Sequence, residues 1–200
     1  MDPLIEGYRR FRAEVWPGQR VRYETLAEGQ RPETLVIACS DSRVDPQTIF
    51  GAAPGELFVV RNIAGLAPPF QPDGAYHGVS AALEFGVRVL GVKRIVVLGH
   101  VDCGGVKALV EGAPAQARDF VAPWMAMAKP VLDALPSPHG ADMFDLCEIG
   151  VVQLTLANLM SFPWIAERVE TGALTLRGFR FAVRSGVLER LDAGVAVAVE

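Results

Sequence analysis

The hydrophobic rhythm of the chain changes in an ordered way. Three short runs, TLVIACS (34–40), LFVVRN (57–62) and KRIVVLGH (93–100), are almost continuous in Val, Ile and Leu, which suits strands buried on both faces of a parallel sheet. Between the second and third, GAYHGVSAALEFGVRVLG (74–91) spaces Val79, Leu83 and Val87 by four on one helical face. Strand, helix, strand predicts parallel pairing through a right-handed crossover. CGGVKALVEG then starts a helix that Gly112 ends. Pro114, Pro123, Pro130, Pro136 and Pro138 predict short helices and turns in the stretch that follows. MFDLCEIGVVQLTLANLMSFPW carries a helix-length apolar pattern stopped near Pro163, and the last forty residues alternate and predict strands that close the sheet. Residues 1–30 mix charges with aromatics, are divided by Pro17 and Gly18, and read as an arm laid on a core. The pattern therefore predicts a single α/β domain over 1–200, with a mostly parallel central β-sheet flanked by helices and an N-terminal helical arm.

Composition narrows the classes. A chain of 200 residues can bury roughly 70% of its unfolded surface in one core. With 19 basic against 23 acidic side chains the net charge is −4, so no field draws the chain to nucleic acid or an anionic membrane. No apolar run is long enough to span a bilayer, and the charged opening is unlike a signal peptide, so a cytoplasmic location is expected. Three cysteines, Cys39, Cys103 and Cys147, are too few and too scattered for a disulfide framework. They read as metal ligands, reactive thiols or small core residues.

Two predicted strands end alike: Cys39 follows LVIA, and His100 follows VVLG. In an open parallel sheet the carboxyl ends of the strands face one crevice, where ligands sit. Cys103 follows His100 by three residues as HVDCGG turns into a helix, so both can close on one ion. Cys, His and Cys suit zinc, and three protein ligands with a fourth position vacant is the catalytic arrangement. An isolated His-x-x-Cys is a weak signal, an isolated Cys39 is more often a core residue, and an isolated Asp-x-Arg is more often a surface ion pair. Their coincidence at two strand ends, with Asp41 and Arg43 beside one of them, is what points to a metal.

CSDSR (39–43) and GHVDCGG (99–105) resemble the two signatures of the β-class carbonic anhydrases. PGELFVVRNIAG (54–65), SAALEFGVRVLGVKRIVVLGH (80–100) and VVQLTLANLMSFPWIAERVETGALTLRGFRF (151–181) are similar to that family too. The resemblance spans about residues 30–190 and leaves the arm least constrained. It implies one Zn²⁺ per chain on Cys39, His100 and Cys103, with Asp41 and Arg43 as the neighbouring catalytic dyad. It further implies a carbonate dehydratase: reversible hydration of CO₂ to bicarbonate and a proton, by attack of zinc-bound hydroxide. Two thiolates cancel the charge of Zn²⁺, so water there is a weaker acid than on a three-histidine site. Asp41 can aim the nucleophile, and Arg43 can keep that carboxylate ionised.

The resemblance also implies a substrate cleft lined by counterparts of a family glutamine, phenylalanine and tyrosine, which fall on Gln30, Phe58 and Phe85. Phe85 lacks the tyrosine hydroxyl. Core packing for the two phenylalanines and a solvated Gln30 are the bland alternatives. Gly104 and Gly105 either leave backbone N–H groups toward substrate or allow tight packing. Members with a bicarbonate side pocket, where the aspartate moves onto zinc, carry a tryptophan and a tyrosine where Val36 and Phe181 stand here. The resemblance places the pocket's arginine on Arg61, and because the tryptophan and tyrosine are replaced, the open form with Asp41 paired to Arg43 is expected. Arg177 and Phe179 replace the His and Trp of the closing motif. Cys147 reads as a core thiol, and His77 and His139 as surface or loop residues. The family implies a homodimer or higher homo-oligomer, with the arm on a neighbour, the cleft at the interface and AGVAVAV as a candidate edge. The competing readings are hydrolysis of carbon disulfide or carbonyl sulfide on the same fold, a non-catalytic zinc-binding protein, and a redox pair of Cys39 with Cys103.

Overall fold

The computed structural model describes residues 2–135, 142–192 and 195–199. Pro136, Pro138 and His139 lie outside the described residues. The apolar runs form β1 (Thr34–Cys39), β2 (Leu57–Asn62) and β3 (Arg94–His100), and the alternating tail supplies β4 (Thr175–Phe181), β5 (Leu188–Asp192) and β6 (Val195–Ala198). The strand order is β2-β1-β3-β4-β5-β6, with β2, β1, β3 and β4 parallel and β5 and β6 antiparallel.

Nine α-helices are described: α1 (Pro3–Arg10), α2 (Trp16–Ala27), α3 (Pro46–Ile49), α4 (Gly78–Glu84), α5 (Gly104–Glu111), α6 (Val121–Ala126), α7 (Lys129–Ala134), α8 (Asp142–Leu159) and α9 (Pro163–Glu170). One sheet face packs Leu35, Ile37, Ile95 and Val97 against Leu83, Val87, Val152, Leu159, Phe162 and Ile165. The other packs Val36, Ala38, Val96 and Leu98 against Val44, Ile49, Phe50, Phe179 and Phe181. Burial on both faces is why the runs are continuous rather than alternating, and each fully buried aliphatic side chain contributes about 1.5–3 kcal/mol. The apolar face of α8 is spent on this sheet. A Cβ at Gly99 would stand 2.6 Å from Val152, so glycine just before His100 lets α8 lie close to β3. No single helix among the described residues is long and apolar enough to cross a membrane.

The arm differs from its expected division. Helical backbone runs from Pro3 to Ala27, and the irregularity is a π-helical turn at Phe11–Val15. Pro17 lies directly after this wider turn, at the start of α2, and the π-helical turn accommodates the ring and the missing N–H inside a continuous helix. A second π-helical turn, Phe85–Val89, continues α4.

Candidate metal centre

The chain leaves β1 for its neighbour β2 on one side and returns through α4 to β3 on the other, so the carboxyl ends of β1 and β3 flank a topological switch point. Cys39 ends β1, His100 ends β3 and Cys103 caps α5. Their ligand atoms lie within 4.8 Å of one another, and all three residues are buried. The two sulfurs are 4.0 Å apart. Two thiolates on a tetrahedral zinc, each at about 2.3 Å, stand about 3.8 Å apart, whereas a disulfide needs about 2.05 Å.

His100 Nδ1 donates to the carbonyl of Val101 at 2.9 Å. That bond fixes the tautomer and turns the lone pair of Nε2 into the centre. Nε2 is buried and has no hydrogen-bond partner among the described residues, so a cation is the partner that completes it. The sulfurs lead to the same conclusion. Cys39 is pushed well below the ordinary thiol range, first by the hydrogen bond from Cys103, while Cys103 is pushed up by that same bond and by burial. Ionisation of one thiol opposes ionisation of the other, and a divalent ion between them relieves that opposition. The donor set, spacing and orphaned nitrogen therefore fit zinc.

Asp41 stands at the mouth, with Oδ2 3.9 Å from His100 Nε2. Arg43 grips it with Nε on Oδ1 at 2.9 Å and Nη2 on Oδ2 at 2.7 Å, and its backbone N–H adds a third bond to Oδ1. Arg43 thereby holds the Asp41 carboxyl well below the usual carboxylate range, against a smaller upward push from burial. Arg43 Nη2 also donates to the carbonyl of Asp102 at 3.1 Å, tying the loop after β1 to the loop between His100 and Cys103. Asp102 has φ 59°, a left-handed conformation that aspartate tolerates better than most residues.

Gly104 borders open space, whereas a Cβ at Gly105 would meet Ala64 Cβ and Ile63 Cγ2 at 2.9 Å. The second glycine is thus a packing requirement, and the first leaves room beside Cys103. Cys147 is a fully buried core residue, and His77 pairs with Asp73 at 2.7 Å. An apolar cavity of about 390 Å³ lined by Phe120, Val121, Trp124, Ile63, Asn62 and Ser40 opens next to the centre. The indole of Trp124 donates to the Ile63 carbonyl at 2.9 Å; its place among the prolines gave no sign of this in the sequence.

Gln30, Phe58 and Phe85 lie elsewhere. Phe58 pairs with Leu35 while Asn62 pairs with Cys39, four rungs or about 13 Å along the sheet. Phe85 stacks on Phe58 with ring centroids 6.0 Å apart, and Gln30 precedes β1. The structure thus places all three toward the amino end of the sheet, away from the metal ligands of their own chain.

Behind the centre lies a charged group that the sequence hid. Glu148 on α8, 4% exposed, accepts the Cys103 N–H at 3.3 Å, and Arg180, 7% exposed, reaches Glu148, Asp145 and Glu189. Burial pushes the Glu148 carboxyl up. Arg180→Met is expected to cost about 3 kcal/mol, because it strands a buried carboxylate. The loss should shrink as pH falls toward the raised Glu148 value, since a protonated carboxyl needs no cation. Urea unfolding at two pH values measures both.

The sequence profile of the carbonic anhydrase family matches residues 34–188. The chain is 38% identical to a carbonic anhydrase of Pseudomonas aeruginosa over 196 residues, 96% of this chain and 88% of that one. Its structure is similar to that of the β-carbonic anhydrase CcaA, with a TM-score of 0.89, 32% identity and 98% of each chain covered. It is also similar to a tetrameric β-carbonic anhydrase of Sordaria macrospora, with a TM-score of 0.74, 29% identity, and 97% of this chain and 99% of that one covered.

Proposed function

The chain belongs to the β-class carbonic anhydrases and catalyses the reversible hydration of CO₂, and from that premise we propose how its own residues do the work. Cys39, His100 and Cys103 hold one zinc ion per chain. The observation that carries this reading is the buried Nε2 of His100, without a hydrogen-bond partner among the described residues, beside two sulfurs 4.0 Å apart. Zinc bound there supplies the Lewis acidity that makes water nucleophilic near neutral pH.

Asp41 accepts a hydrogen bond from the attacking water and turns an oxygen lone pair toward CO₂. Arg43 keeps that carboxylate ionised and fixed, so that it orients the nucleophile instead of taking its proton. Gly104 leaves room for substrate beside Cys103, and bicarbonate and the proton leave to solvent. Gln30, Phe58 and Phe85 serve a site only from a second copy, because four rungs of sheet separate Phe58 from Cys39's level in its own chain.

The proposed assembly is a homodimer or a larger homo-oligomer. Leu4, Tyr8 and Val21 are largely exposed on the arm, and Val195, Val197 and Val199 are exposed on or beside the edge strand β6. Three free cysteines suit a reducing compartment such as the cytoplasm. Metal analysis and analytical ultracentrifugation of the purified chain test this reading. One zinc per chain in a dimer or larger species is expected; a metal-free monomer would refute it.

A further inference from the structure

Arg61 is the fifth residue of β2, on the edge of the sheet, a position where an arginine is ordinarily solvated. The residue is exposed, but its side chain turns back onto the protein and keeps 30% of its surface in solvent. Nε donates to the carbonyl of Cys39 at 2.9 Å, and Nη2 donates to the carbonyls of Asp41 at 2.6 Å and Val44 at 3.0 Å. Nη1 lies 3.6 Å from Asp45 Oδ1, and the other oxygen of Asp45 caps α3 through Thr48. One planar guanidinium thus gathers three carbonyls of the turn that leaves β1.

The turn has further fixed points. Ser40 N–H donates to Asn62 O at 2.8 Å and Val44 N–H to Asp41 O at 3.1 Å, while the Val44 side chain is fully buried. Asp41 is therefore held twice, with Arg61 fixing its carbonyl and Arg43 its carboxylate. Releasing the Asp41 carbonyl would free the backbone that carries the carboxylate, and Arg61 opposes that release through charge-assisted bonds. A lysine can reproduce the effect only in part, because a single ammonium lacks the planar fork.

We propose that Arg61 is a positioning residue for CO₂ hydration: by clasping the carbonyls of Cys39, Asp41 and Val44 it sets the height and rotation of the Asp41 carboxylate over the metal centre, without touching substrate. The proposal rests on the role given to Asp41 above. Displacement of an orienting group by even about 1 Å can lower turnover on the order of 100-fold. The ligand side chains are untouched, so zinc should remain.

The test compares wild-type protein with Arg61→Gln, Arg61→Lys and Arg61→Ala. In Arg61→Gln, kcat should fall on the order of 100-fold with KM for CO₂ within about twofold and the zinc content unchanged. Arg61→Lys should be intermediate. Millimolar guanidinium should restore part of the activity of Arg61→Ala and none of that of Asp41→Asn. Amide exchange in metal-free Arg61→Gln should quicken at Arg43 and Val44 while the core of β1 stays protected, a readout independent of turnover. Full activity in Arg61→Gln overturns the proposal. So does zinc loss in proportion to activity, or a drop that guanidinium does not relieve in a folded Arg61→Ala. An inactive wild-type protein with full zinc would instead overturn the assignment of Asp41 and the metal, and is distinguished by that control.

Discussion

Cys39→Ala is expected to release zinc and abolish CO₂ hydration while the protein stays folded. Cys39 is 5% exposed among Ala64, Leu66, Met125 and Val151, so a methyl group is tolerated there and the loss falls on the metal. Two ligands remain where three were present. Losing even an outer hydrogen-bond partner of a zinc ligand typically costs 10–100-fold in affinity or activity, in round terms about 1–3 kcal/mol, and losing a ligand costs more. Metal analysis after dialysis against a weak chelator, with circular dichroism as the folding control, checks the prediction. A variant that keeps one zinc per chain would show that Cys39 is a core thiol and that the ion sits elsewhere.

Asp41→Asn is expected to behave differently: full zinc, normal folding, and kcat lower by about 10³-fold, within the range for loss of a positioned polar group at a reacting centre. The amide keeps the shape of the carboxylate but loses its charge, so Arg43 no longer has an ionised partner. The amide can also present N–H where an acceptor is needed. The wild-type pH profile follows from the same pair. Because Arg43 holds the Asp41 carboxyl below the usual range, the ionised pair is intact above the ordinary aspartate value and is lost only as pH falls through the lowered one. Asp41 should therefore add no acid limb between about pH 6.5 and 9. Stopped-flow hydration on zinc-assayed protein measures the effect; activity within tenfold of wild type would remove Asp41 from the reaction.

The elements that the sequence made legible are those with a strong local signature. Val, Ile and Leu runs marked β1, β2 and β3 because burial on both faces leaves no polar alternation to obscure them. CSDSR and GHVDCGG marked the centre because strand ends of a parallel sheet converge. Arg61 was legible only as the arginine of a pocket whose other residues are replaced here, since nothing local shows that three carbonyls from another segment turn toward it. Glu148 sits in a helical run where a lone acid reads as a solvated face; its burial depends on Arg180 more than thirty residues later. Pro17 suggested a break, but the backbone stays helical and takes up the proline with a π-helical turn at Phe11–Val15. The exposed valines of β6 and the distance of Phe58 and Phe85 from the ligands were not legible, because strand runs carry no signal of which ends or edges stay uncovered.

The most direct test is CO₂ hydration followed by stopped-flow with a pH indicator, across about pH 6.5 to 9, on protein assayed for zinc. Turnover already present near neutral pH, scaling with zinc content up to one ion per chain, is the predicted result. Absence of hydration at every pH with full zinc occupancy would contradict the account.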